Sequence, residues 1–369
     1  MKKISSLEYN TFIWFIIRSC FAELTLTQIL HITYQDSWIS IIIGSILGLI
    51  PFFIFEYLKL KYPDENIISL NEKLLKNFGK FLNFLILIGS IIGAICVFWI
   101  FIHFSNSLFL YKTNLWTTSI IFILPIAYAV TKGLHVLGKV SLILFYISVF
   151  FNITIMLGLT NGIDISNFKP ILDNNIFNIF DCSVIFIGVN IAQLFFLTII
   201  PKNDIINYSK KNNLIFYIIT CLNLLDILFL TISIFGIDLS TLYEYPGFQI
   251  LKRVNILGVF DRMESILSIE ALLSLFIRIS LMIFYAKEII TQTFKLNEKT
   301  NKYITTFICL IVVILSNTIF ITHEEGENFF TGPLLYIVYF ICIIIPLITA
   351  IKSLKDFKII KDEHYYPSN

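Results

Sequence analysis

The chain has 369 residues, a mean hydropathy of +0.83 and charged side chains at only 14% of positions, where a soluble domain carries about 25%. Apolar runs recur from end to end, which excludes a sizeable soluble domain. A net charge of +2 with no basic, aromatic-interleaved tract excludes a nucleic-acid surface. Six cysteines, all in or beside apolar runs and none in CxxC spacing, read as buried small side chains rather than a disulfide framework or a zinc site.

About 20 apolar residues cross the hydrocarbon core as a helix. Lipid offers no partner for open backbone groups, so the runs are helices rather than irregular chain. Ten spans are placed, near 9–30, 38–58, 81–108, 115–131, 138–160, 181–200, 213–236, 264–287, 303–322 and 333–353. Span one follows Lys2 and Lys3, is interrupted by Glu8, Arg18 and Glu23, and has no small-x-small site after it, so it is expected to stay as a span and not to be cleaved as a signal. Span two carries Gly44 and Gly48, a small-xxx-small face suited to close helix contact. The mixed-charge loop 59–80 reads as a short surface helix. Span three holds His103, Ser105 and Asn106, span six Asn190 and Gln193, and span seven Asn223 and Asp226. Residues 237–263, where Tyr243, Tyr245, Phe248, Ile250, Leu251 and Val254 interleave with Lys252, Arg253 and Arg262, read as a lid or interfacial helix. The last outer turn, with His323, Glu324, Glu325 and Glu327, reads as a solvated acidic loop rather than a metal site.

With the N-terminus in the cytoplasm, 20 Lys and Arg fall in inside segments and 5 in outside segments, while Arg18 and Arg278 lie within spans. That asymmetry supports cytoplasmic N- and C-termini. Ten spans divide into five and five, the second set starting on the opposite side, as an inverted repeat requires. The fold class expected is an all-α integral membrane protein with ten transmembrane helices in a single polytopic domain.

Arg18, Glu23, Asp226, Glu270 and Arg278 lie inside apolar runs, where each charge costs about 2.5–3.5 kcal/mol on insertion scales. Such residues mark a pathway or site, or fix packing. Arg18 and Glu23 are five apart, about 140° around and about 7.5 Å along an ideal helix, so span one breaks between them or each finds a partner elsewhere. Glu270 and Arg278, eight apart, share a face loosely. Three carboxylates against two arginines leave one acid in surplus, so one of Glu23, Asp226 or Glu270 is expected to be a proton-coupling group. HExxH, GxSxG and P-loop patterns are absent, which argues against an enzyme.

Several stretches, taken in order, resemble the spore-germination permease family, the B subunits of nutrient germinant receptors, within the amino acid–polyamine–organocation (APC) superfamily. They are Ile4-Ser5, Gln35 to Ser40, Lys132 to Lys139, Ile165 to Pro170, and Tyr245-Pro246 with Leu251, Phe260, Arg262, Met263 and Glu264. The resemblance implies a permease fold of the LeuT type, with a substrate site where spans one and six meet. The candidate substrate-binding residues are then Ser19, Cys20, Phe21, Ala22 and Glu23 of span one, with His103, Asn190 and Gln193. Arg18, Glu23, Asp226, Glu270 and Arg278 are candidates for charge coupling. It further implies a small nutrient ligand such as an amino acid, no cofactor or metal, and a spore inner-membrane location. The partners it implies are an A-type subunit and a C-type lipoprotein subunit. A proton-coupled amino-acid transporter and a degenerate permease scaffold fit the same residues. Two departures stand out. The family's glycine-rich break in span one is replaced by Arg18-Ser19-Cys20-Phe21-Ala22-Glu23, and the proline expected within span six sits at its end, at Pro201.

Overall fold

The computed structural model describes residues 3–253, 269–296, 298–320 and 322–354. Phe260, Arg262, Met263 and Glu264, and with them the end of the expected lid and the start of the expected eighth span, lie outside the described residues. The chain is helical almost throughout. The strands among the described residues are two short segments, Ile4–Ser5 (β1) and Ile205–Ile206 (β2), which pair in parallel.

Eight helical stretches among the described residues are long and apolar enough to cross a membrane: Ser6–Lys61, Asn77–Leu108, Leu115–Lys132, Leu134–Leu159, Ile176–Ile199, Lys210–Leu242, Ile269–Thr293 and Glu324–Leu354. Asn301–Ser316 is a shorter apolar helix. The first stretch is not one rod. It comprises α1 (Ser6–Arg18), a π turn (Phe21–Thr25) and α2 (Leu26–Thr33); after a 3-10 turn at Tyr34–Asp36 it resumes as α3 (Ser37–Leu47) and α4 (Leu49–Lys61). A short helix, α5 (Ile67–Leu75), precedes α6 (Asn77–Leu108), α7 (Leu115–Lys132) and α8 (Leu134–Leu159). Next come α9 (Ile176–Phe186), continued by a π turn (Ile187–Ile191) and a 3-10 stretch (Ala192–Ile199), and α10 (Lys210–Leu242). The remaining helices are α11 (Pro246–Gln249), α12 (Ile269–Thr293), α13 (Glu298–Ser316), α14 (His323–Thr331) and α15 (Pro333–Tyr339).

Local sequence accounts for several of these boundaries. Ser5 and Glu8 form a reciprocal capping box at the start of α1, with Ser5 N 2.6 Å from Glu8 Oε2 and Glu8 N 3.2 Å from Ser5 Oγ. Thr322 and Glu325 repeat the device at α14, so the acidic run there opens a helix. Asn66, Asn114 and Asn175 accept backbone N–H bonds at the starts of α5, α7 and α9.

The bundle is layered by burial. Phe12, Phe15 and Ile16 of α1, Phe195 of the span-six segment, and Ile277 and Tyr285 of α12 are fully or almost fully enclosed. On α8, by contrast, Ile143, Tyr146, Phe150 and Leu157 are exposed. A helix this apolar and this uncovered suits hydrocarbon, not water, and the protein is an all-α integral membrane protein. The inner elements pack closely. Gly44 of α3 leaves room for α9, since a Cβ there would lie 2.7 Å from Phe186 Cδ1 and 3.2 Å from Ser183 O. Ser183 Oγ donates to Ser40 O at 2.9 Å across the same contact.

Two lysines counted to inside loops are buried instead. Lys59 Nζ donates to Tyr9 Oη at 2.8 Å and to Leu197 O at 2.9 Å, tying α4 to α1 and to the end of span six. Lys287 lies 2.9 Å from Glu288. Both sit near helix ends, where a long stem packs against apolar surface while the head finds oxygen acceptors.

Candidate functional site

The site begins with the failure of α1 to continue. Ser19 N still bonds Phe15 O at 3.0 Å and Ser19 Oγ bonds Ile16 O at 2.9 Å. Ser19 itself is extended (φ −62°, ψ 144°), and Cys20 is left-handed (φ 65°, ψ 3°). Helices commonly stop at a left-handed residue, usually glycine. A non-glycine pays about 1–2 kcal/mol for that conformation, so surrounding contacts must hold Cys20 there. Span one therefore breaks without the family's glycines.

Those contacts come from span six and α12. Asn190 Nδ2 donates to Ile17 O at 2.8 Å and to Ser19 O at 3.3 Å, and its Oδ1 accepts from Thr25 Oγ1 at 3.0 Å. Arg278 Nη1 donates to Ser19 O and to Ser19 Oγ, each at 3.2 Å. The carbonyls orphaned by the helix stop are thus satisfied inside the bundle. Span six is itself irregular at this level, running through a π turn and then a 3-10 stretch.

Beside the break lies a cavity that leaves about 60 Å³ for the centres of water molecules, enough for several. Arg18, Glu23, Asp226 and Glu270 all line it. Arg18 Nη2 is 2.6 Å from Glu270 Oε2, a buried ion pair. Arg18 Nη1 donates to Asn152 Oδ1 at 3.0 Å and to Asn223 Oδ1. Glu270 Oε1 accepts from Asn152 Nδ2 at 2.8 Å and from Ser148 Oγ. Trp14 Nε1 bonds Ser148 Oγ at 3.0 Å, and the Arg18 guanidinium lies 5.5 Å from the Trp14 ring. The pair is held by four side chains, Asn152, Asn223, Ser148 and Trp14, and by helices α1, α8, α10 and α12.

Glu23 and Asp226 differ from that pair. Glu23 is 4% exposed, and its Oε2 has no hydrogen-bond partner. Asp226 is half-buried on α10 and forms no ion pair among the described residues. Over the cavity sits α11 with the turn after it, contributing Gly247, Phe248, Ile250 and Leu251. Phe248 meets Phe104 edge-on at 6.4 Å between ring centroids, and Thr27 Oγ1 donates to Glu244 O at 3.0 Å. The described part of the expected lid is ordered and packs on the continuation of the broken helix.

Phe21 and Ala22 also line this cavity, whereas Cys20, Gln193 and Arg278 line a smaller one of about 20 Å³ with Met282 and Leu335. Ser19 is fully buried in the break itself. Asn190 braces the break, and Gln193 bonds Gly188 O on its own segment at 3.1 Å. His103 lies outside both linings, with its ring 4.5 Å from that of Trp99, because the turn of α6 presents the next residue, Phe104, to the cavity. Glu270 and Arg278 share α12 but serve different partners. Ser148 and Asn152 escaped the sequence reading. Their signal was two small polar residues four apart in an otherwise apolar span, which places them on one helix face.

Residues 7–325 match the spore permease family, described as spore germination protein. Spore germination protein YndE of Bacillus subtilis (strain 168) is 26% identical over 279 residues, covering 70% of this chain and 72% of that protein. Spore germination protein KB of the same organism is 23% identical over 300 residues, covering 80% of each. The family match includes every residue that lines the main cavity. The chain therefore belongs to the spore germination protein family of spore permeases and is a membrane protein rather than an enzyme.

Proposed function

We propose that the protein is the membrane subunit of a spore germinant receptor, and that it binds a small nutrient in the cavity beside the broken first span. The carrying observation is that cavity. It is lined by an ion pair and by two carboxylates that form no ion pair among the described residues, roofed by α11, and bordered by a helix break that span six braces. A helix broken at mid-span is how this class of fold exposes backbone and polar groups to a solute. The chain is read as ten spans. The 56-residue first stretch counts as two because of its turn at Tyr34–Asp36, and the shorter helix Asn301–Ser316 counts as one. Irregular segments in the first and sixth spans occupy corresponding places in a five-plus-five inverted repeat. We place it in the spore's inner membrane, in keeping with its kinship to two proteins named for spore germination, and the Lys and Arg asymmetry supports cytoplasmic termini. There it would act alongside an A-type subunit and a lipoprotein subunit, to which ligand binding is relayed by a shift between the two halves.

The test is a cavity-filling variant in spores. Ala271→Leu puts three more carbons into the cavity wall, so spores carrying it should lose nutrient-triggered germination while the protein level stays normal. Normal germination would overturn the proposal. Saturable, proton-driven uptake by the wild type in proteoliposomes would favour the transporter reading.

A further inference from the structure

We infer that the cavity selects a solute with a cationic nitrogen, an alkylamine, in place of a zwitterionic amino acid. This rests on the nutrient-binding reading above and deepens it. Among the described residues, the cavity holds one cation, Arg18, and three carboxylates, Glu23, Asp226 and Glu270. Arg18 is cancelled by Glu270 at 2.6 Å, and Asn152 and Asn223 hold it in place. Among the described residues, the two remaining carboxylates have no cation within ion-pair distance. Glu23 lines the cavity and is nine-tenths buried or more, and its Oε2 has no hydrogen-bond partner among the described residues. A buried polar atom left without a partner is rare and costly, and an ammonium group arriving with three donors would satisfy it.

The same geometry disfavours a ligand carboxylate. The positive end of the helix continuing from the break, where an anion is ordinarily received, already has Glu23 in its first turn. Arg278, the nearest alternative cation, is turned toward Ser19 and lines the smaller cavity. A ligand carboxylate would therefore meet Glu23 and Asp226 with no uncancelled positive charge to offset them. The rest of the wall is apolar. Phe21, Ile155, Ile227, Leu230, Phe248 and Leu251 suit a short hydrocarbon chain.

The test uses full-length protein in lipid nanodiscs and three solutes that share the 3-methylbutyl chain and differ in amine and carboxylate: 3-methylbutylamine, L-leucine and 4-methylpentanoate. Ionic strength is held constant, and sodium is compared with potassium chloride. Affinities are read from ligand-dependent shifts of the unfolding midpoint. The amine should bind at least tenfold more tightly than leucine, and the carboxylate should give no shift. Asp226→Asn should weaken amine binding at least tenfold; because Asp226 is only half-buried and forms no ion pair among the described residues, the unliganded midpoint should stay put. Glu23→Gln should act in the same direction. Leucine binding as well as the amine, an equal shift from potassium alone, or Asp226→Asn binding the amine like wild type would each overturn the inference. So would a straight-chain series from ethylamine to hexylamine that gives no shift. If leucine binds and Ala271→Leu abolishes it while the amine stays silent, the nutrient site stands and only its charge assignment falls. If no solute binds and Ala271→Leu spores germinate normally, the nutrient site itself falls.

Discussion

Replacing Arg18 by methionine keeps the length and apolar bulk of the side chain but removes the cation 2.6 Å from Glu270. Glu270 is 2% exposed, so it cannot recover its charge partner from water. Breaking a buried pair from one side costs about 3–5 kcal/mol. Glu270 keeps its bonds from Ser148 and Asn152 and borders a cavity wide enough for water, which places the expected loss near the lower end, about 3 kcal/mol. Glu270→Gln is the milder single change, about 1–2 kcal/mol, because Arg18 keeps both asparagines and has Glu23 and Asp226 across the cavity. The double variant, Arg18→Met with Glu270→Gln, leaves a neutral amide that still accepts from Ser148 and Asn152, and should lie within about 1 kcal/mol of wild type. The coupling in the four-protein cycle is then about 3–5 kcal/mol, far above the scatter of additive pairs. Equilibrium unfolding in mixed detergent–SDS micelles measures all four. An Arg18→Met cost below about 1 kcal/mol, or a double variant as unstable as the sum of the singles, refutes the buried-pair reasoning.

Asn190→Leu should be more damaging than Gln193→Leu, although both are buried amides on the same irregular segment. Asn190 makes three bonds across to span one, worth about 0.6–1.5 kcal/mol each, so a loss of about 2–4 kcal/mol is expected, with faster amide hydrogen exchange over residues 17–25. Gln193 bonds only its own segment and should cost about 1 kcal/mol without that local exchange. Equal effects would show that the break is not held by Asn190. Gly44→Val should lower stability by about 1–3 kcal/mol, since its Cβ would fall 2.7 Å from the enclosed ring of Phe186; an unchanged unfolding midpoint would mean that α3 and α9 are not packed this closely.

Much of the architecture was legible in order along the chain. Long apolar runs leave a helix no alternative in lipid, so the existence of the helices follows from composition and spacing. The charges at Arg18, Glu23, Asp226 and Glu270 announced an interior site because each is too costly to face hydrocarbon, and all four do line one cavity. The family was recognisable from short motifs in sequence order, and the match across residues 7–325 agrees with it. The helix break was harder to read. Glycine and proline are the residues that advertise one, and here a serine and a left-handed cysteine make the turn while Asn190, some 170 positions away, pays for it.

What the sequence by itself determined is a many-helix membrane protein with a few buried charges and a germination-family lineage. Those properties are set by the free energy of each residue against lipid, which can be summed along the chain. Which charges meet was decided only by the tertiary structure. Pairing depends on how each helix is rotated about its own axis, and at 100° per residue an error of one position turns a side chain from the cavity to the opposite wall. That rotation gave Arg18 to Glu270, sent Arg278 to Ser19, brought Ser148 and Asn152 into the network, and left Glu23 and Asp226 outside any ion pair among the described residues.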